Sequence, residues 1–240
     1  MTKKARVLLI VCFLSALLLL GTAFYTQTYY HADEAAIEAL SSDELVNVSQ
    51  TDYGWFFDGP SEEDAFIFYP GGKVEETAYA PLLRSLAEEG VDVMLVSMPV
   101  RLAILDVDAA EKVLAEYEYE HWYIGGHSLG GAAAAIYASE NSGRLDGIIL
   151  LGAFSTKPLE DERVLFIYGS EDQVLNMEKF INNRANVPEN AEEYVIEGGN
   201  HAQFGSYGVQ RGDGSATISG EEQVEITVNL IISFLQEATQ

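Results

Sequence analysis

The stretch from residue 122 to residue 139 constrains the fold more than any other part of the chain. A short apolar run (residues 122–124) leads into GGHSLGG (residues 125–131), and an alanine-rich run (residues 132–139) follows directly. The apolar run predicts a buried strand, and the alanine-rich run predicts a helix whose small side chains let it pack close to a sheet. Glycines on both sides of Ser128 predict a sharp turn between the two.

Short apolar runs alternate with helical stretches through the rest of the chain. The predicted strands are residues 65–69, 91–96, 122–124, 148–151, 164–168 and 194–196, and the predicted helices are residues 79–89, 107–118, 132–139 and 221–236. Continuously apolar strands separated by helices indicate a parallel sheet covered on both faces. The predicted fold class is therefore α/β, a three-layer sandwich with a mostly parallel sheet. A hairpin is predicted at residues 45–57, and residues 152–163 are too few for an inserted lid domain, so we expect an open site.

The N-terminus has the pattern of a targeting segment. Lys3, Lys4 and Arg6 precede an apolar run at residues 7–20. This pattern predicts either a single transmembrane anchor with its C-terminal side outside the cytoplasm, or a signal peptide cleaved at the small residues 21–23. We expect a cell-membrane protein with an extracytoplasmic catalytic domain in the first case, and a secreted protein in the second.

The predicted domain organisation follows from these patterns. Residues 1–30 are the signal peptide or transmembrane anchor, residues 31–44 are a linker or a short acidic helix, and residues 45–240 are the folded domain. The only cysteine, Cys12, lies in the apolar run. The predicted domain therefore has neither a disulfide framework nor a thiolate metal site.

The charge balance limits the partners of the chain. With 13 basic and 38 acidic residues, the formal net charge is −25 at pH 7. A surface of this sign repels phosphate backbones, so nucleic acid is not an expected partner. It also disfavours anionic substrates, although a solvated acidic surface requires no ligand at all.

Residues 126–130 match the pattern G-x-S-x-G. Between a strand and a helix, this pattern predicts a nucleophile elbow, in which Ser128 occupies a strained turn and Gly126 and Gly130 leave room for the neighbouring backbone. A serine hydroxyl needs a base to act as a nucleophile at neutral pH. Of the four histidines, His201 alone follows the last predicted strand at the carboxyl edge of the sheet, on a glycine-rich loop.

A carboxylate is expected beside His201 to fix its tautomer and to stabilise its charged form. Asp172 follows the strand at residues 164–168 at the same sheet edge, with Glu171 as a neighbouring competitor and Glu197 as a weaker one. The order serine, aspartate, histidine along the chain is the order expected for this type of fold.

An oxyanion would need two backbone N–H donors. One is predicted to be Leu129, because it follows the nucleophile at the start of a helix. The second is predicted in the loop after the strand at residues 65–69, at Gly72 or Lys73, and the sequence does not choose between them.

The chain resembles the α/β-hydrolase superfamily, in particular its small lidless branch, family 5, over residues 45–236. The matching segments are residues 69–72 (YPGG), 126–131 (GHSLGG), 168–172 (YGSED) and 198–205 (GGNHAQFG). The resemblance implies the triad Ser128, Asp172 and His201, and it implies neither a cofactor nor a metal. Members of the superfamily include esterases, lipases and dienelactone-type hydrolases.

These observations lead to one main functional hypothesis and two alternatives. The first is a carboxylesterase that forms an acyl-enzyme on Ser128 and acts on small ester-like substrates, neutral or cationic. The alternatives are a noncatalytic binding module on a hydrolase fold and an acyltransferase that uses the same triad. The natural substrate and the oligomeric state are not predicted.

Overall fold

A computed structural model describes residues 2–61, 63–160 and 162–238. The helices are α1 (Lys3–Gln27), α2 (Glu34–Glu38), α3 (Ala80–Glu88), α4 (Ala110–Leu114), α5 (Leu129–Glu140), α6 (Met177–Asn182) and α7 (Gly220–Ala238). The strands are β1 (Asn47–Gln50), β2 (Gly54–Asp58), β3 (Asp64–Tyr69), β4 (Val91–Val96), β5 (His121–His127), β6 (Gly147–Leu151), β7 (Arg163–Gly169) and β8 (Glu192–Ile196).

The eight strands form one sheet in the order β1-β2-β4-β3-β5-β6-β7-β8. Strands β3 to β8 pair in parallel, and the hairpin of β1 and β2 joins antiparallel to the outer side of β4. The predicted fold class, with its mostly parallel sheet and N-terminal hairpin, is confirmed. Because the parallel strands run in one direction, the loops that follow β3, β5, β6, β7 and β8 meet at a single carboxyl edge.

The core lies on both faces of the sheet. On one face, residues of α3 and α7 such as Leu83 and Ile231 pack against alternate strand residues. On the other face, α4, α5 and α6 do the same, with the alanines at residues 133–135 fully buried. These small side chains let α5 lie close to β5, and this packing fixes where the helix starts.

The secondary structure differs from the sequence prediction in two places. The helix predicted at residues 107–118 shortens to α4, because Ala110 donates its N–H to the Tyr69 hydroxyl and Tyr117 packs its ring against Phe56. Helix α6 was not predicted, since its six residues are too few to give a clear period. Residues predicted as a linker or short acidic helix contain α2, whose Ala36 is fully buried.

Helix α1 stands apart from this core. It has 25 residues and a mean hydropathy of 2.7 in its most apolar window, none of which is buried. Its length and composition are those of a membrane span, and a signal sequence has the same properties.

Candidate active site

Ser128 lies in the sharp turn between β5 and α5. Its φ of 54° and ψ of −119° are rare for a residue with a side chain, so the turn is strained. A Cβ atom on Gly126 would lie 2.2 Å from the Tyr69 carbonyl oxygen, and one on Gly130 would lie 2.1 Å from the same atom. Both positions therefore require glycine if the turn is to pack against the end of β3.

His201 and Asp172 form a buried pair at the carboxyl edge. The Nδ1 atom of His201 lies 2.7 Å from Oδ2 of Asp172, and each side chain is 1% exposed. The other carboxylate oxygen accepts the N–H groups of Val174 and Leu175, both at 2.8 Å. Because a carboxylate only accepts hydrogen bonds, Nδ1 of His201 carries the proton and Nε2 is left as an acceptor.

The pair lies directly over the end of β6, beside the serine turn. The Ser128 N–H donates to the Leu151 carbonyl at 2.9 Å, and Gly152 follows with a φ of 52°. A Cβ atom on Gly152 would lie 2.8 Å from Nδ1 of His201 and 3.2 Å from Oδ2 of Asp172. Nε2 of His201 is buried and has no hydrogen-bond partner among the described residues. The imidazole thus keeps a free acceptor atom inside the site.

Two side chains hold the loops that carry this pair. Asp213 accepts the N–H of Ala202 at 2.9 Å and the N–H of Gln173 at 3.2 Å, so its carboxylate joins the loops that follow β7 and β8. The fully buried side chain of Gln223, on α7, accepts the N–H of Asn200 at 2.9 Å and donates to its carbonyl at 2.8 Å. The backbone next to His201 is therefore fixed from two sides.

A second buried network supports the loop after β3. The Gly71 N–H donates to the Tyr79 hydroxyl at 3.0 Å, and this hydroxyl lies 2.8 Å from Nδ1 of His127. The His127 ring packs against the His201 ring, with 4.3 Å between centroids. Burial, with a smaller contribution from His201, lowers the pKa of His127 well below its usual value, so this ring is neutral. It packs inside the fold and touches Tyr79 and His201.

The three predicted oxyanion donors differ in their surroundings. The Lys73 N–H donates to the Arg101 carbonyl at 2.9 Å and is already used. Gly72 faces Leu129, and a Cβ atom on this glycine would lie 3.0 Å from the Leu129 side chain. The loop after β3 and the start of α5 thus approach each other closely beside Ser128.

The other candidate histidines and the two carboxylates that competed with Asp172 make other contacts. His121 is at the start of β5, at the amino edge, and its Nδ1 lies 3.6 Å from Asp146. His31 lies 3.4 Å from Glu75. Glu171 accepts a hydrogen bond from Ser170 at 3.3 Å, and Glu197 is exposed on the loop after β8.

Four residues of the site were missed by reasoning from the sequence. These are Gly152, Tyr79, Asp213 and Gln223. A glycine directly after a strand at the carboxyl edge was a usable signal for the first. The other three support the site through contacts that no local pattern marks.

The sequence of residues 65–225 matches the Alpha/beta hydrolase family, in its family 5 form. The chain belongs to the Alpha/beta hydrolase family. The matched residues run from β3 into α7 and include Ser128, Asp172 and His201. No curated protein sequence gives a significant match to this hydrolase.

Solved structures share the fold at low sequence identity. Est1E from Butyrivibrio proteoclasticus is 13% identical, with a TM-score of 0.58, 82% of this hydrolase covered and 99% of Est1E covered. Carboxylesterase CesB (YbfK) from Bacillus subtilis is 12% identical, with a TM-score of 0.57 and coverages of 84% and 95%. TT1662 from Thermus thermophilus is 14% identical, with a TM-score of 0.57 and coverages of 80% and 99%. At these identities the likeness concerns the fold alone.

Proposed function

We propose that this chain is a serine hydrolase, a carboxylesterase that acts on small ester-like substrates through an acyl-enzyme. The observation that carries the proposal is the buried pair of Asp172 and His201, whose Oδ2 and Nδ1 atoms lie 2.7 Å apart. The pair packs against Gly152, next to the Leu151 carbonyl that accepts the Ser128 N–H, and Nε2 of His201 has no hydrogen-bond partner among the described residues. In this reading Ser128 is the nucleophile, His201 is the general base and Asp172 orients the imidazole. The carboxylesterase CesB, which shares the fold, is an example of this reaction class.

The reaction follows from the hydrogen-bond pattern. Nε2 of His201 takes the hydroxyl proton of Ser128 as Oγ attacks the carbonyl carbon of the ester. The tetrahedral intermediate then expels the alcohol, which receives that proton from His201, and an acyl-Ser128 ester remains. Water, deprotonated by His201, attacks this ester, and the acid leaves as the proton returns to Ser128.

The negative oxygen of the intermediate needs two donors. We assign this role to the N–H groups of Leu129 and Gly72, since the Lys73 N–H is engaged by Arg101. The Leu129 N–H is at the first turn of α5, where backbone N–H groups have no intrahelical acceptor. Tyr79 and His127 hold Gly71, and so they fix the loop that presents Gly72.

The proposed substrate is small, and neutral or cationic rather than anionic. The connection from β6 to β7 has no helix or strand among its described residues, 152–160 and 162, so no lid covers the edge there. The net charge of −25 disfavours anionic esters. With helix α1 retained as an anchor, the domain is extracytoplasmic at the cell membrane; if α1 is cleaved as a signal peptide, the domain is secreted.

Replacement of the nucleophile tests this proposal. In Ser128→Ala we expect hydrolysis of p-nitrophenyl acetate to fall at least ~10³-fold, because the attacking oxygen is lost. Ser139→Ala, on the same helix with its hydroxyl bonded to the Ile136 carbonyl, is the matched control and keeps full activity. A fluorophosphonate probe should label the unaltered chain at Ser128. Absence of labelling in folded protein would favour a noncatalytic module instead.

A further inference from the structure

The segment that follows α1 is part of the catalytic domain. We call residues 28–33 the strap. Tyr30 pairs in parallel with Val74: its N–H donates to the Lys73 carbonyl at 2.8 Å, and its own carbonyl accepts the Glu75 N–H at 2.8 Å. The strap therefore adds a short extended segment to the loop after β3, the loop that carries Gly72.

The other side of the strap contacts the loop after β8. The Asp33 N–H donates to the Ser206 carbonyl at 2.9 Å, and the Arg211 N–H donates to the Tyr30 hydroxyl at 3.0 Å. The ring of Tyr30 packs on Tyr207 with 5.5 Å between centroids. The strap is thus held between two loops of the carboxyl edge, one on each side of the candidate site.

Two positively charged side chains also contact the strap. Nζ of Lys73 donates to the Thr28 hydroxyl at 2.9 Å, and the guanidinium of Arg101 lies 3.4 Å from the centre of the Tyr29 ring. These contacts begin one residue after the end of α1 at Gln27. Helix α1 therefore leaves the domain at the carboxyl edge, next to the site.

Exposed apolar side chains cluster in sequence around the residues that hold the strap. We call Val100, Ile104, Leu105 and Val209 the rim residues; they are 45%, 47%, 59% and 92% exposed. Val100 precedes Arg101, and Val209 lies between Tyr207 and Arg211. A lipid surface at the end of α1 would remove these four side chains from water.

Two cations lie at the end of α1. Lys73 and Arg101 lie beside the end of α1, where they would meet lipid headgroups, and the strap supplies tyrosines of the kind that favour a membrane interface. The loop before β5, at the opposite edge, reads AEYEYE (residues 115–120) and carries three glutamates. A 25-residue helix is about 37 Å long, at ~1.5 Å per residue, which is enough to cross the hydrocarbon core.

We propose that the domain rests on the bilayer with the carboxyl edge of its sheet and the rim residues against the lipid, so that the site takes its substrate from the membrane surface. The substrate class extends beyond the small esters of the proposed function: it is a neutral ester with a long apolar chain, which passes from the lipid along the rim residues to Ser128. The proposed orientation is argued from the contacts of the strap and the exposure of the rim residues alone. The substrate class rests also on the proposed serine esterase function.

Depth-dependent quenching tests the orientation without any assay of activity. Cys12→Ala removes the native thiol, and Ile104→Cys, Val209→Cys or Asn190→Cys then carries a fluorophore on the full chain in phosphatidylcholine vesicles. Asn190 is the control, an exposed residue just before β8 at the amino edge. Lipids with nitroxide-labelled chains should quench the two rim positions at least about twofold more strongly than Asn190, because interfacial side chains reach the acyl boundary. Equal quenching at all three positions, or stronger quenching at Asn190, overturns the proposal.

A spacer tests the source of the substrate. About ten Gly and Ser residues inserted between Gln27 and Thr28 leave the strap in place but let the domain move roughly 16–19 Å from the helix end. We expect hydrolysis of p-nitrophenyl palmitate in vesicles to fall about tenfold, as the effective concentration at the lipid surface falls. Hydrolysis of soluble p-nitrophenyl acetate should not change.

The two substrates separate the two proposals. Unchanged palmitate hydrolysis after insertion of the spacer contradicts delivery from the membrane, while acetate hydrolysis shows that the enzyme is intact. If the unaltered chain hydrolyses neither ester, the proposed function fails, and the quenching pattern still decides the orientation.

Discussion

The contact between Gly152 and His201 constrains the candidate site at a single residue. The backbone of Gly152 has a positive φ of 52°, and its missing side chain leaves the space that the imidazole and the Asp172 carboxylate occupy. A glycine is thus required here for two independent reasons, conformation and volume. The contact makes the position of His201 sensitive to a single added methyl group.

We predict that Gly152→Ala lowers kcat by about 10²-fold, because a shift of His201 by a fraction of an ångström misaligns the base. The matched control is Gly143→Ala, where φ is also positive at 77° but no atom lies within 4 Å of the new Cβ. Both variants lose about 1–2 kcal/mol from backbone strain. Steady-state kinetics and denaturant unfolding of the two variants separate the effects, and an equal change of kcat in both would contradict the prediction.

At the scale of single residues, the sequence predicted those residues of the candidate site that a local pattern marks. The elbow at Ser128 follows from glycines between a strand and a helix, and His201 and Asp172 were predicted from the edge at which their strands end. Tyr79 is different, because its hydroxyl reaches Gly71 and His127 only after α3 has packed on the sheet. A tyrosine at the start of an amphipathic helix gives no sign of this contact.

At the scale of the elements, helix α7 has a role beyond closing the core. Gln223 lies at its first turn and makes two hydrogen bonds to the backbone of Asn200, the residue before His201. Helix α7 therefore fixes the position of the loop that carries His201 relative to the sheet. A helix nineteen residues long and packed on the core is a firm support for that loop.

We predict that Gln223→Leu lowers kcat about tenfold or more and lowers the free energy of unfolding by about 1–3 kcal/mol, since it leaves the Asn200 N–H and carbonyl without partners. Thr227→Val, one turn further along α7, is the control: among the described residues this buried hydroxyl bonds to the Gln223 carbonyl within the helix alone. It should cost stability with little change in kcat. Activity with p-nitrophenyl acetate and chemical unfolding are measured for both variants. A normal kcat in Gln223→Leu would show that the loop carrying His201 keeps its position without the Gln223 hydrogen bonds.

The elements themselves were largely predictable, and the exceptions have physical causes. Strands β3 to β7 are mostly apolar and buried, and such runs are visible in a single sequence. Strand β8, at the edge of the sheet, is largely exposed, and only its last three residues were predicted as a strand. Helix α4 ends early because residues 115–120 carry tyrosines that pack against the hairpin side of the sheet. The hydrogen bond from the Lys73 N–H to the Arg101 carbonyl was not predictable, because it joins the loops that follow two different strands, β3 and β4.

At the scale of the whole molecule, the acidic surface acts on every charged substrate. The formal charge of −25 produces a negative potential that extends about 8 Å from the surface at physiological ionic strength. Within that range cations are concentrated and anions are depleted. Local cations such as Lys73 and Arg101 are tied to the strap and offset this field only near the end of α1.

We predict that kcat/KM for a cationic ester exceeds that for an anionic ester of equal size by about tenfold at ~10 mM salt, and that the ratio falls to roughly two at ~0.5 M salt. A neutral ester of the same length is the control and should change little. Kinetics with the three esters across the salt series give the result. A ratio that does not depend on salt would assign the preference to contacts inside the site.

The pairing of Tyr30 with Val74 also sets where a protease can cut. Cleavage within α1 leaves a domain that keeps its strap, so with the proposed membrane anchor it would release a domain with its site intact. Trimming a few residues further, past Tyr30, removes the partner of the Lys73 and Glu75 backbone and releases the loop that presents Gly72. Shedding and inactivation are therefore separated by only a short length of chain.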